Sequence, residues 1–204
     1  MAPLIDLGPA TVKQEIRSYE DDQLRRLPER CIPGGTETIL CAAPGSGKLQ
    51  ILLSERFGLR GGLQVTGGKR DPSDKTIVDT IERETLEESG ISARDKIDLI
   101  YLVDEIIVDD VYAMSPQISF VHDPQPFYPV PENEKDKMGR WEWHSLADIL
   151  SVLEQIPEIF FEPLLKHLRN PVYRQAMHGY IKHMVDNNLI PPQDEILKML
   201  VTES

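Results

Sequence analysis

Apolar residues along this chain gather in short runs separated by glycine and proline, and the spacing of those runs predicts a set of elements. Residues 36–43 and 48–56 are rich in Ile and Leu and flank Pro44-Gly45-Ser46-Gly47, so they read as two strands of a hairpin. Between residues 67 and 90 the period changes. Val78, Ile81 and Thr85 fall on one stripe at about 100° per residue, which predicts a helix with one buried face. Residues 97–108 and 111–121 read as extended, 123–131 as a proline-rich loop and 140–144 as a further short strand. Ser145 then N-caps another helix, with Asp148 at the capping-box position where Glu is commoner. Helices follow over 158–168, 172–187 and 194–202, separated by Asn170-Pro171 and Pro191-Pro192.

Strands, a helix, more strands and then a helix closing the other side describe a sandwich of the α+β or α/β kind. Residues 1–30 hold a short helical stretch around 11–27, with charges on both sides of few apolar positions, expected to be a docking arm or a frayed extension. At the other end Phe160, Phe161, Leu164, Leu165 and Leu168 either pack back on the sheet or form a homodimer contact.

Composition narrows the partners. With 204 residues and 40% apolar content the chain can bury a sizeable core, but a formal net charge of −12 argues against broad binding to DNA or RNA. Any phosphate contact must be local. Two cysteines, Cys31 and Cys41, give no disulfide framework and suit a reducing compartment. The first residues lack a basic stretch leading into a long apolar run, and nowhere do 18 apolar residues run together, so no membrane is expected and the expected location is cytoplasmic.

The chemistry concentrates in Gly67–Gly90, GGKRDPSDKTIVDTIERETLEESG. On a helix Glu87 and Glu88 lie about 60° and 40° to either side of Glu84, so three carboxylates share one arc. Like charges so close cost a helix a few tenths of a kcal/mol, and a hard divalent cation with oxygen ligands compensates them naturally. Other motifs fail. PGSGK has Ala42 where a P-loop needs glycine and Leu49 where it needs Ser or Thr; no EF-hand loop, G-x-S-x-G or metal-spaced histidine pattern occurs.

The run Arg83-Glu84-Thr85-Leu86-Glu87-Glu88-Ser89-Gly90-Ile91 resembles the second half of the Nudix box, REUxEExGU with U apolar, and departs from it at Thr85. Upstream, Gly68 is followed by five residues and then Asp74, where the pattern has glutamate, and eight residues rather than seven separate Asp74 from Arg83. That longer first half is similar to the GGKxDPxD opening of the coenzyme A pyrophosphatase branch, but Leu59-Arg60-Gly61-Gly62-Leu63-Gln64 lacks that branch's histidine.

The resemblance implies an α/β/α sandwich, a mixed sheet between helices, as a catalytic domain over 31–155, between the N-terminal arm (1–30) and a helical C-terminal extension (156–204). It implies Mg²⁺- or Mn²⁺-dependent hydrolysis of a diphosphate linkage in a small molecule: coenzyme A-like, a nucleoside triphosphate or a diphosphoinositol phosphate. The alternative is a catalytically weak module that senses a nucleotide. The metal ligands it implies are Gly67, through its carbonyl, with Glu84, Glu87 and Glu88. The base is one of Glu84, Glu87 or Glu134, and Arg83 orients a carboxylate.

Around this set other residues have two readings each. Lys69 and Arg70 receive a diphosphate or are a solvated pair on a loop; Arg56 faces the cleft or guards a sheet edge. Glu134 or Asp136 adds a ligand or base, or belongs to a solvated charge run. Trp141 and Trp143 share one face of a strand, as core residues or as stacking partners for a substrate base.

Overall fold

The computed structural model describes residues 31–59, 61–101, 106–107 and 112–201. The expected N-terminal arm lies outside the described residues. The hairpin is present as β1 (Ile32–Ala42) and β2 (Leu49–Arg56), antiparallel, with Leu40 opposite Ile51. Strands β3 (Gly62–Gln64) and β4 (Thr66–Lys69) follow and pair with β2 and β1. Next come helix α1 (Ile77–Ser89), strands β5 (Lys96–Tyr101), β6 (Ile106–Ile107), β7 (Tyr112–Val121), β8 (Phe127–Tyr128) and β9 (Trp141–Ser145), then helices α2 (Leu146–Val152), α3 (Glu162–Arg169), α4 (Pro171–Asp186) and α5 (Asp194–Val201). The main sheet runs β5-β7-β1-β2-β9-β8, with β1 parallel to β7 and the other described pairings antiparallel.

Side chains alternate across a strand, so β1 divides its residues between two layers. Leu40 on β1, Leu49, Ile51 and Leu53 on β2, and Ile118 and Phe120 on β7 meet α2 to α5 in one apolar cluster. Phe160, Leu164 and Leu168 are buried there, with Leu165 packed alongside. The other face carries Gly35, Glu37 and Ile39 and receives α1 and a smaller cluster around Leu52, Ile91 and Trp141. The result is an α+β sandwich, a mixed sheet between helices. Among the described residues no helix is long and apolar enough to cross a membrane.

One local expectation changes. Gly67-Gly68 is not a free turn but part of β4, paired with β1 so that Gly35 faces Gly68 and Thr36 faces Gly67. Close approach explains the glycines. A Cβ on Gly35 would meet Ile81 Cγ1 at 2.3 Å, and one on Gly67, whose φ is +150°, would meet the Gly35 carbonyl at 2.4 Å. The missing side chain at Gly35 lets α1 lie almost directly on β1, and that at Gly67 lets β4 approach β1 closely.

Candidate active site

Helix α1 is well determined at both ends. Thr76 caps it in a reciprocal capping box with Asp79, and Gly90 ends it in the left-handed conformation with its N–H on the Leu86 carbonyl. Ile77, Val78 and Ile81 turn inward, which leaves Glu84, Glu87 and Glu88 along the side facing β4 and solvent. The Glu84 carboxylate stands over Gly68, where a Cβ would meet its Cδ at 2.3 Å. Glu88 is nearly buried, and its Oε2 accepts a hydrogen bond from the Gly67 amide at 3.0 Å. In this structure Gly67 therefore meets Glu88 through its N–H.

Arg83 gathers the remaining acids. Its Nε and Nη2 donate to the two carboxylate oxygens of Asp74 at 3.2 and 2.9 Å, Nη1 reaches Glu84 at 2.8 Å and Glu87 at 3.1 Å, and Nη2 also donates to the Lys69 carbonyl at 3.0 Å. A planar fork suits this many acceptors. Burial works to raise the Asp74 carboxyl, but the bonds from Arg83, the Asp71 amide and Thr80 together hold it below the usual carboxylate range. Asp74 thus serves as an anchor for Arg83 at the mouth of the helix.

The glutamates behave differently. Burial pushes Glu84 up, with Arg83 opposing. Burial also pushes Glu88 up to about 8; the Gly67 amide opposes it, Glu84 and Glu134 add to it, and Arg56 draws it down. A carboxyl kept from ionising by burial and like charge is an oxygen donor short of positive charge. The donor set, hard oxygens against a glycine strand, fits Mg²⁺ or Mn²⁺. Among the described residues no three His, Cys, Asp or Glu side chains are drawn together as a metal group. The Arg83 guanidinium bridges Glu84 and Glu87.

The other predicted positions fall at different distances from this centre. Arg56 lies over the Phe161 ring, 4.9 Å from its centroid, and its Nη1 is 3.4 Å from Gln64 Oε1. Glu134 pairs with Lys137 at 2.9 Å and is mostly buried; both Arg56 and Glu134 are near enough to Glu88 to act on its titration. Lys69 is exposed, with Nζ 5.0 Å from the Tyr112 ring centroid. Arg70 donates to the Asp74 and Lys75 carbonyls and ties down the loop before α1, so its fork is turned toward its own backbone. Trp141 is the correction: it is fully buried, and its indole N–H donates to the Glu88 carbonyl at 2.8 Å, so no face of its ring is open to a substrate.

A group that sequence reasoning missed lies beneath α1. Glu37 on β1, 1% exposed, accepts from Lys96 Nζ at 2.6 Å, from Gln117 Nε2 at 2.8 Å and from Thr85 Oγ1 at 2.7 Å. Its signal was an acid in the middle of a strand otherwise made of apolar and threonine positions, a place where charge is rare unless paired.

The NUDIX domain family model matches residues 38–164. No curated protein matches. Among solved structures, a MutT/nudix family protein from Enterococcus faecalis aligns at 18% identity over 67% of this chain with a TM-score of 0.46; the chain spans 56% of that protein's length. A C. elegans Ap4A hydrolase in a binary complex aligns at 16% identity over 62% of this chain and 92% of its own, TM-score 0.47. The NUDIX domain of Shewanella oneidensis NrtR, complexed with ADP ribose, aligns at 14% identity over 68% and 95%, TM-score 0.45. The family match covers more than half of the chain and includes the whole of β4 and α1, and on that ground the chain belongs to the Nudix family.

Proposed function

We propose that the protein hydrolyses a diphosphate linkage in a nucleoside diphosphate derivative or related small molecule, with Mg²⁺ or Mn²⁺. The observation that carries this reading is the pair Glu84 and Glu88, raised by burial and set against the Gly67-Gly68 backbone. Glu84, Glu87, Glu88 and the Gly67 carbonyl are the residues to hold the cation. When bound, it neutralises the diphosphate and lowers the pKa of an attacking water.

The chain's own groups do the rest. Arg83, fixed by Asp74, holds Glu84 and Glu87 at one side of the helix. One of Glu84, Glu87 or Glu134 takes the proton from water as it attacks one phosphorus in line; the bond from that phosphorus to the bridging oxygen breaks, and the oxygen leaves with the other phosphate. Arg56 supplies positive charge at the edge of the cleft, and Phe161, from the expected extension at 156–204, supports its guanidinium. Lys69 is free in its exposure to meet an incoming phosphate. The substrate class is open among coenzyme A-like compounds, nucleoside triphosphates and diphosphoinositol phosphates. About a dozen diphosphates incubated at fixed Mg²⁺ and read by mass spectrometry test it; a panel with no metal-dependent product over hours defeats the hydrolase reading.

The closure of Glu84 and Glu87 by Arg83 favours a second reading, a Nudix-like module that binds a nucleotide without cleaving it. Calorimetry with and without Mg²⁺ beside a phosphate-release assay separates the two. Tight binding with no product selects the module.

A further inference from the structure

The proposed chemistry uses the side of α1 that faces the cleft, but the adjoining buried side rests on a charge network that the box pattern does not call for. Thr85 stands where that pattern has an aliphatic residue. Its Oγ1 donates to Glu37 Oε2 at 2.7 Å and lies 2.8 Å from Thr66 Oγ1, and Thr66 Oγ1 reaches the Glu37 main-chain carbonyl at 3.4 Å. Lys96 and Gln117 complete the coordination of the Glu37 carboxylate, and Glu37, Thr66, Thr85 and Gln117 are all buried.

A buried ion pair is weak evidence for stability, because desolvating both partners offsets most of their attraction, and apolar residues of the same volume commonly serve a core as well. The network is better explained by direction. An aliphatic side chain at 85 would sit against β4 in a soft apolar contact, whereas a hydroxyl engaged by two oxygens has one place to be. Glu84 precedes Thr85 and Glu88 lies three residues beyond, so the azimuth of Thr85 sets theirs at about 100° per residue. Thr66 also directly precedes Gly67, whose amide grips Glu88. One hydroxyl thus joins the helix both to β1 and to the strand beneath the glutamates.

We infer that Thr85, seated on the Glu37–Lys96 pair, is a positioning residue that fixes the rotation of the box helix and with it the placing of Glu84 and Glu88 over Gly67 and Gly68. Its consequence for turnover rests on the hydrolase reading; its consequence for geometry does not.

Thr85→Val removes the hydroxyl at nearly constant shape, and Thr85→Ser keeps it. On the full chain, hydrogen exchange of the Gly67 amide in metal-free protein is measured with urea stability, Mn²⁺ affinity by calorimetry, and kcat and KM. In Thr85→Val the Gly67 amide is expected to exchange faster than any loss of global stability explains, with Mn²⁺ binding about tenfold weaker and kcat lower by about 10–100-fold at little changed KM, the size of effect seen when ligand-orienting partners are removed. Thr85→Ser is expected to restore all of these. Wild-type Gly67 exchange in Thr85→Val, or equal impairment in Thr85→Ser, overturns the inference. Should Thr85→Val fail to fold, the all-apolar set Glu37→Leu, Lys96→Met and Thr85→Val replaces it; the inference expects a cooperative fold with a loosened Gly67 amide, and native exchange in that variant overturns it. A wild-type protein that turns over no diphosphate defeats the hydrolase reading, while the Gly67 amide still decides the role of Thr85.

Discussion

Strand β1 shows one face to the box helix and the other to the C-terminal helices, and the two faces bury polar groups in opposite ways. Toward the C-terminal helices lie Thr36 and Thr38. Thr38 shares a short hydrogen bond with the Tyr173 hydroxyl, and Thr36 Oγ1 is 3.5 Å from Nδ1 of His167, which stacks on the Tyr173 ring. Burial keeps both partners neutral: it holds the His167 imidazole down at about 4 and pushes the Tyr173 hydroxyl up. Toward α1 the same strand places Glu37, paired with Lys96, and beyond it lies Glu88, which forms no ion pair among the described residues and accepts from the Gly67 amide. Neutral groups under the helices serve packing. A carboxyl kept from ionising by burial, next to a glycine strand, is a candidate place for a cation to bind.

The largest effect that would sharpen this contrast is a separation of activity from stability. Glu87→Gln and Glu88→Gln are each expected to cut turnover by roughly 10²–10⁴-fold, with the urea midpoint of the Glu88 variant unchanged or higher near neutral pH. On the opposite face Leu168→Ala, at a site with no exposure, is expected to lower stability by about 2–5 kcal/mol while turnover per folded molecule stays at the wild-type level. Full activity in both glutamate variants would show that the box face is not the chemical one.

Opposite pH slopes come next. His167 has a folded value of about 4 against an ordinary 6.5, so the unfolded chain binds the proton first; its stability contribution is complete above pH 6.5 and is lost as pH falls toward 4, by roughly 3 kcal/mol. Glu88 runs the other way. Its folded value of about 8 exceeds the ordinary 4.5, so in metal-free protein its contribution is complete below pH 4.5 and is lost as pH rises through 8. In urea titrations across pH 4.5–8.5, His167→Leu is expected to lose the acid-side fall in stability, and Glu88→Gln to lose the decline between pH 4.5 and 8. Identical profiles for wild type and both variants would dissolve the contrast.

The sequence made one face more legible than the other because local pattern reports local structure. The hairpin, α1 with its Gly90 stop and the last helices follow from periods and punctuation within ten to twenty residues, and the carboxylate arc follows from helical spacing alone. Strands β3 and β4 carry no alternating apolar pattern; they are strands because β2 and β1 pair with them, and Gly68 of β4 leaves room for the Glu84 carboxylate. Glu37 and Lys96 are 59 residues apart, and nothing near either one names the other. Thr85 was visible as a departure from the box, yet its reason lies across the sheet. Trp141 was rightly placed on a strand face, but its hydrogen bond to the end of α1 is a tertiary fact.

The smallest expected effect tests the cation directly. Millimolar Mg²⁺ or Mn²⁺ is expected to raise the melting temperature, since a ligand that binds the folded state alone stabilises by RT ln(1 + [L]/Kd), about 2.7 kcal/mol at a hundredfold excess over Kd. Protons compete for the same oxygens, and Glu88 holds its proton up to about 8, so the gain should grow as pH rises from 5 to 8. In the double variant Glu84→Gln, Glu88→Gln the metal response should vanish while metal-free stability stays equal or rises slightly, because like charge is relieved and a buried carboxyl becomes a neutral amide. Leu168→Ala, on the other face, should keep the full metal increment on a lower baseline. A double variant whose melting temperature still moved with metal by the wild-type amount would place the cation away from α1, and a loss of the increment in Leu168→Ala would mean that the two faces of β1 are not separable.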